Sequence, residues 1–120
     1  MTRSLIVKAT AGADDPERCS QAFTVAAAAA ASGVSVSMWL TGEATWLAVA
    51  GQAESFSLPH ATPLVDLIQV ILASGTLVIC QQCATRRDLE VEDLLPGVGI
   101  SGATSFVAEV TAPDAQALVY

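Results

Sequence analysis

Positive charge and aromatic residues are scarce in this chain. Its 120 residues include five lysines and arginines and one histidine against twelve acids, for a formal charge of −7. Binding to a phosphate backbone draws most of its strength from Lys and Arg, so the balance argues against a nucleic-acid partner. Long apolar runs are also missing. The longest, Val25 to Ala31, is mostly alanine and falls far short of the roughly 20 residues a membrane span needs. The start, Met1-Thr-Arg-Ser-Leu-Ile-Val-Lys8, has no apolar region leading to a small-residue cleavage site, which reads as a cytoplasmic protein. No Gly-x-Gly-x-x-Gly or Walker-type loop is present, so dinucleotide or ATP use has no support. Cys19, Cys80, Cys83 and the sole His60 lack the paired spacing of a zinc site, and no cofactor is expected. Three cysteines is an odd count; in a reducing compartment they read as thiols or transient disulfides, leaving stability to packing.

What is abundant is small aliphatic side chain. With 52% hydrophobic and only 5% aromatic residues, one domain spanning 1–120 is expected, its core built from Ala, Val and Leu at close helix-to-sheet distances. Leu5 to Thr10 reads as a buried strand. Gly12 to Asp15 makes a turn, with Asp14 or Asp15 capping a helix that carries Pro16 in its first turn and ends at Gly33. Val34 to Leu40 reads as a second strand and Glu43 to Ala50 as a short helix, followed by an irregular connection over Gly51 to His60. Thr62-Pro63 is placed as N-cap and first position of a helix whose apolar face is Leu64, Val65, Leu67, Ile68, Ile71 and Leu72. Thr76 to Ile79 is a third strand and Val98 to Ile100 a short fourth. Ser101 to Thr111 has strand-like composition, but a parallel crossover to a last strand at Ala117 to Tyr120 requires a helix, and helix is the reading taken. The alternation predicts an α/β fold: a single-domain, open, mainly parallel five-stranded sheet with helices on both faces.

The chemistry points to Cys80 and Cys83. They form a Cys-Gln-Gln-Cys step where the run Gly75 to Ile79 hands over to a helix through Arg87. First-turn N–H groups and the helix dipole favour a thiolate there. The two thiols share a helix face, and Arg87, four residues beyond Cys83, adds positive charge. Ligands in such sheets sit at the carboxyl ends of strands, so one crevice is expected to gather Cys80, Thr10 to Ala13 and Thr41-Gly42-Glu43. Buried cysteine is also a common inert hydrophobe, the reading given to Cys19 in the alanine-rich helix. His60 reads as a solvated loop residue and Glu43 as either a cap or a site neighbour. Trp39 and Trp46 read as core or subunit contacts, and Glu90 to Asp93 as a solvated acidic face.

The order of elements and the run Val78-Ile-Cys80-Gln-Gln-Cys83-Ala-Thr-Arg86-Arg87 resemble the DsrE family, which includes the DsrE, DsrF and TusD type sulfur-relay proteins. The resemblance covers most of the chain, including Ala22-Phe23-Ala26 in the first helix and Thr41-Gly42-Glu43-Ala44 after the second strand. It implies a Rossmann-like three-layer fold and a sulfur carrier or sulfurtransferase holding a persulfide on Cys80, with Arg87 matching the family's arginine. It also implies homo-oligomers such as trimers or hexamers, and sulfur donor and acceptor proteins as partners. Asp88 stands where the pattern often has glycine. Cys83 stands where sulfur-relay members commonly have a small residue, which leaves a dithiol redox protein and a non-catalytic binding module as alternatives.

Overall fold

In the computed structural model, which describes residues 3–120, the chain runs β1 (Ser4–Ala9), α1 (Pro16–Ala31), β2 (Ser35–Leu40), α2 (Leu64–Ser74), β3 (Thr76–Cys80), α3 (Gln81–Arg86), β4 (Gly99–Ser101), α4 (Ala103–Val110) and β5 (Ala115–Val119). Short 3₁₀ turns occupy Gly42–Ala48, Ala53–Ser55 and Val91–Asp93. All strand pairs are parallel and the sheet order is β4-β3-β2-β1-β5.

Alternation along the central strands sorts their side chains into two layers. Val7, Ala9, Val36, Met38, Leu40, Leu77 and Ile79 belong to the main core with the buried faces of α1 and α2. On α1 that face is Cys19, Ala22, Phe23, Ala26, Ala27 and Ala30, a three-and-four spacing of mostly small side chains that lets the helix sit close to the sheet. Asp15 caps α1 through the Arg18 N–H at 3.3 Å, and Asp14 accepts from the Gly12 N–H at 2.8 Å. Ile6, Lys8, Ser37, Trp39 and Val78 point the other way. There Phe106 of α4 meets Trp39 edge-on, with ring centroids 5.4 Å apart.

The structure departs from the sequence reading in several places. Pro63, with ψ of 135°, is extended and so takes the cap position itself; α2 begins at Leu64 with no side-chain cap, one residue later than Thr62-Pro63 implied. The segment after β2 is a 3₁₀ turn rather than an α-helix, closed when Val49 bridges to Leu94. The last strand begins at Ala115, because it pairs with β1 from Ser4 onward. The mainly parallel sheet is wholly parallel. The ambiguous stretch after β4 is helical, as the crossover to β5 demanded.

Candidate functional site: a thiol at the split between two strands

From β1 to β4 the chain steps across the sheet in one direction, and from β4 to β5 it steps back. Right-handed crossovers therefore send α1, α2 and α3 to one face and α4 to the other. At the carboxyl ends of β3 and β4 the chain leaves in opposite directions, and a crevice opens between them. Cys80 and Ser101 are register partners at that point. The resulting cleft of about 550 Å³ has Cys80, Gln81, Gln82, Thr85 and Arg86 on one wall and Gly102 and Ala103 on the other.

Cys80 is half-buried and occupies the N-cap of α3. Burial alone pushes its thiol toward higher pKa. This is outweighed by the N–H groups of Cys83 and Gln82, the Cys83 thiol and the charge of Lys8, so the net shift is downward from the ordinary value of 9.0. The two N–H groups do not form a full capping hydrogen bond to Sγ. Their dipoles nevertheless converge on the sulfur and favour its anion over the neutral thiol.

Cys83 is buried and its Sγ accepts from the Gly42 N–H at 3.3 Å. Gly42 has φ of +55°, and a Cβ there would stand 2.6 Å from the Thr10 carbonyl oxygen, so only glycine brings this N–H to the sulfur without strain. Arg87 is directed away from the cleft. Its guanidinium donates to the Cys83 carbonyl at 3.1 Å and to Glu43 Oε2 at 2.8 Å, and lies 5.9 Å from the Trp46 ring centroid. Arg86 is the arginine on the cleft wall. After α3, Asp88 adopts φ of +54°, and the Leu89 N–H returns to the Ala84 carbonyl at 2.9 Å. This left-handed helix end explains why glycine suits the position.

The crevice does not gather everything expected of it. Of the expected residues only Cys80 lines the cleft; Cys83, Gly42, Glu43 and Arg87 are tied to one another beside it, and Thr10 turns to β5, its hydroxyl donating to the Tyr120 carbonyl at 2.6 Å. His60 lines a separate cleft with α1 residues and Tyr120. Cys19 is fully buried, and burial with Asp14 and Asp15 nearby pushes its thiol up to about 12. Among the described residues no cluster of His, Cys, Asp and Glu is built to hold a metal ion. Lys8 and the β4–α4 corner at Ser101 to Ala103 had no place in the sequence reading of the site. A charged residue inside the apolar run Leu5 to Ala9 was the available signal for Lys8; nothing local marks Gly102 or Ala103.

No helix among the described residues is long and apolar enough to cross a membrane. No curated protein matches the chain. Among solved structures, the ychN protein from E. coli superposes with a TM-score of 0.80 at 18% identity, covering 100% of both chains. MTH1491 from Methanobacterium thermoautotrophicum, a protein of unknown function, superposes at 0.73 with 12% identity, also over 100% of both. At these identities the likeness is one of fold. The match to the DsrE/DsrF-like family extends over residues 3–116, and this α/β chain with Cys80 at its strand split is a member of that family.

Proposed function

We propose that this protein is a sulfur carrier or sulfurtransferase that holds a persulfide on Cys80. The observation that carries the proposal is the Cys80 thiol itself, reachable from the cleft and more acidic than an ordinary cysteine. The thiolate attacks the outer sulfur of a donor persulfide; a new S–S bond forms at Cys80 as the donor S–S bond breaks, and the donor leaves as thiolate. An acceptor thiolate then attacks the outer sulfur of Cys80 and restores the starting thiolate. No net oxidation occurs, so neither a cofactor nor Cys83 is required. Arg87 serves as a positioning residue, fixing Cys83 and the end of α3 through Glu43 and the Cys83 carbonyl. A free, ionisable Cys80 suits a reducing compartment such as the cytoplasm.

The place of Cys83 in the first turn of α3, three residues after Cys80 and with both thiols free, favours a second reading, a dithiol redox protein. There Cys80 attacks a substrate disulfide to form a mixed disulfide, and Cys83 resolves it by attacking the Cys80 sulfur. The substrate leaves as dithiol while Cys80 and Cys83 are oxidised to a disulfide.

Intact-mass analysis after incubation with a cysteine desulfurase and cysteine separates the readings. The carrier gains one sulfur, removable by reductant, in the native chain and in Cys83→Ser but not in Cys80→Ser. Loss of two hydrogens without added sulfur, abolished by either substitution, marks the redox protein. A chain unchanged in mass under both donor persulfide and disulfide is a binding module.

Self-association is the remaining part of the proposal. None of the α4 residues is buried, and Val107 on α4 and Val119 on β5 are 54% and 64% exposed. A helix of this apolar content left uncovered suits contact with further copies of the chain, in a trimer or hexamer.

A further inference from the structure

Lys8 is the charged residue of β1, in the run Ser4-Leu-Ile-Val-Lys-Ala9. It pairs in register with Trp39 of β2, and Trp39 pairs with Val78 of β3. Alternation then places Lys8 and Cys80 on the same sheet face, the one α4 covers, with one strand between them. Two strand spacings and the two-residue step from Val78 to Cys80 together amount to about 12 Å, about half of which an extended lysine stem spans. The Lys8 ammonium lies 5.1 Å from the centroid of Phe106, whose ring meets Trp39. An aromatic surface thus holds the cation in place.

This cation has no carboxylate within ion-pairing distance among the described residues, where the pairs formed are Arg18 with Asp15 and Arg87 with Glu43. Glu109, the acid of α4, is engaged elsewhere, accepting from Ser37 Oγ at 2.5 Å and from Trp39 Nε1 at 3.2 Å. Of the other groups around Cys80, α3 supplies Cys83 and Arg86, and Arg87 is neutralised by Glu43. A half-buried lysine without a counter-ion is left incompletely compensated, and an anion formed on its face relieves that cost.

The geometry points to Lys8 as a positioning residue that holds the Cys80 thiolate, and the persulfide anion after loading, in its ionised form from across the sheet. This rests on Cys80 being the reactive sulfur. It assigns standing positive charge at the site to the first strand, beside Arg86 on the cleft wall and in place of the neutralised Arg87.

The test is alkylation of Cys80 by iodoacetamide in the full chain, read by peptide mass spectrometry across pH at low and high salt, with melting temperature followed in parallel. Lys8→Met raises the midpoint of the Cys80 profile and slows alkylation at neutral pH by about three- to tenfold, the scale of one unit charge acting at this range. Lys8→Arg keeps the native midpoint. High salt moves the native profile toward that of Lys8→Met and leaves the variant in place. Lys8→Gln carries the same expectation as Lys8→Met should the apolar variant fail to fold. A midpoint unmoved in the folded variants, with only the melting temperature lowered, overturns the proposal and leaves Lys8 a packing residue. Sulfur loading is scored separately. A chain whose midpoint follows Lys8 but that takes up no sulfur upholds this role and sinks the carrier reading; uptake with a midpoint indifferent to Lys8 does the reverse.

Discussion

Arg87 reaches across from the end of α3 to Glu43 after β2, with Nη2 donating to Oε2 at 2.8 Å. The arginine side chain is 16% exposed and the glutamate 48%. Because Nη1 also bonds the Cys83 carbonyl, one guanidinium ties the cysteine helix to the neighbouring strand end. The segment bearing Glu43 also supplies the Gly42 N–H to Cys83 Sγ, so Cys83 is held from both its backbone and its sulfur.

Removing this tie has unequal costs on its two sides. Arg87→Ala loses the ion pair, the carbonyl bond and the contact with Trp46, and is expected to destabilise by about 1–2 kcal/mol. Glu43→Gln loses only a solvent-screened pair and is expected to cost about 0.5 kcal/mol. Urea unfolding of both variants and the native chain measures the difference; equal costs would mean that the ion pair, not the carbonyl bond, is the main tie.

Gly42→Ala is expected to destabilise by about 1–3 kcal/mol, since its backbone is left-handed and the added methyl meets the Thr10 carbonyl. The same change loosens the N–H contact to Cys83, so thiol labelling of Cys83 speeds up. Labelling as slow as in the native chain would show that Cys83 is shielded by packing alone.

Asp88→Gly is expected to stabilise by about 1 kcal/mol, because glycine adopts the observed φ of +54° without steric cost. Thermal melts of the two chains at one pH decide it. A lower midpoint in the variant would show that the aspartate side chain itself supports the helix end.

Cys19 and Cys80 give stability opposite dependences on pH. Cys80, lowered in the folded state, adds stability that is present above its unfolded value near 9.0 and is lost as pH falls through the folded value. Cys19, raised to about 12, favours the folded state below 9.0 and loses that contribution as pH climbs from 9.0 toward 12. Unfolding free energies from pH 7 to 11 should therefore fall less steeply above pH 9 in Cys19→Ala than in the native chain, whereas Cys80→Ser should lose, below pH 9, the rise with pH that Cys80 contributes. Parallel curves for all three would refute both assignments.

The exposed α4 face sets the assembly prediction. Val107→Asp places a charge on the uncovered helix and is expected to convert an oligomer to monomer without changing the melting behaviour of the separated chain. Light scattering coupled to size exclusion reads the mass; an unchanged oligomer would locate the contact elsewhere.

Much of this molecule was legible locally. Apolar runs such as Thr76 to Ile79 and the three-and-four spacing of Cys19, Ala22, Phe23 and Ala26 carry their own periodicity, and the turn chemistry of Asp15, Pro16 and Gly33 marks where elements stop. The Cys-Gln-Gln-Cys step at a strand end was visible for the same reason, since a strand-to-helix junction is a property of contiguous residues. Pro63 misled by one position because cap and first-turn preferences overlap for proline, and its own ψ decided between them.

The sequence by itself determined the α/β class, the five strands, four of the five helices it implied, and Cys80 as the thiol at a strand end; the fifth, Glu43 to Ala50, is a 3₁₀ turn. Only the tertiary structure decided what surrounds that thiol. Strand order is set by long-range pairing, and it is the reversal between β4 and β5 that opens the cleft beside Cys80. Side-chain partners across strands depend on register: hence Arg87 is spent on Glu43, and Lys8, 72 residues before Cys80 in the chain, faces its sheet surface. Spacing along a chain encodes neighbours on one element, whereas charge at a site depends on distance in space.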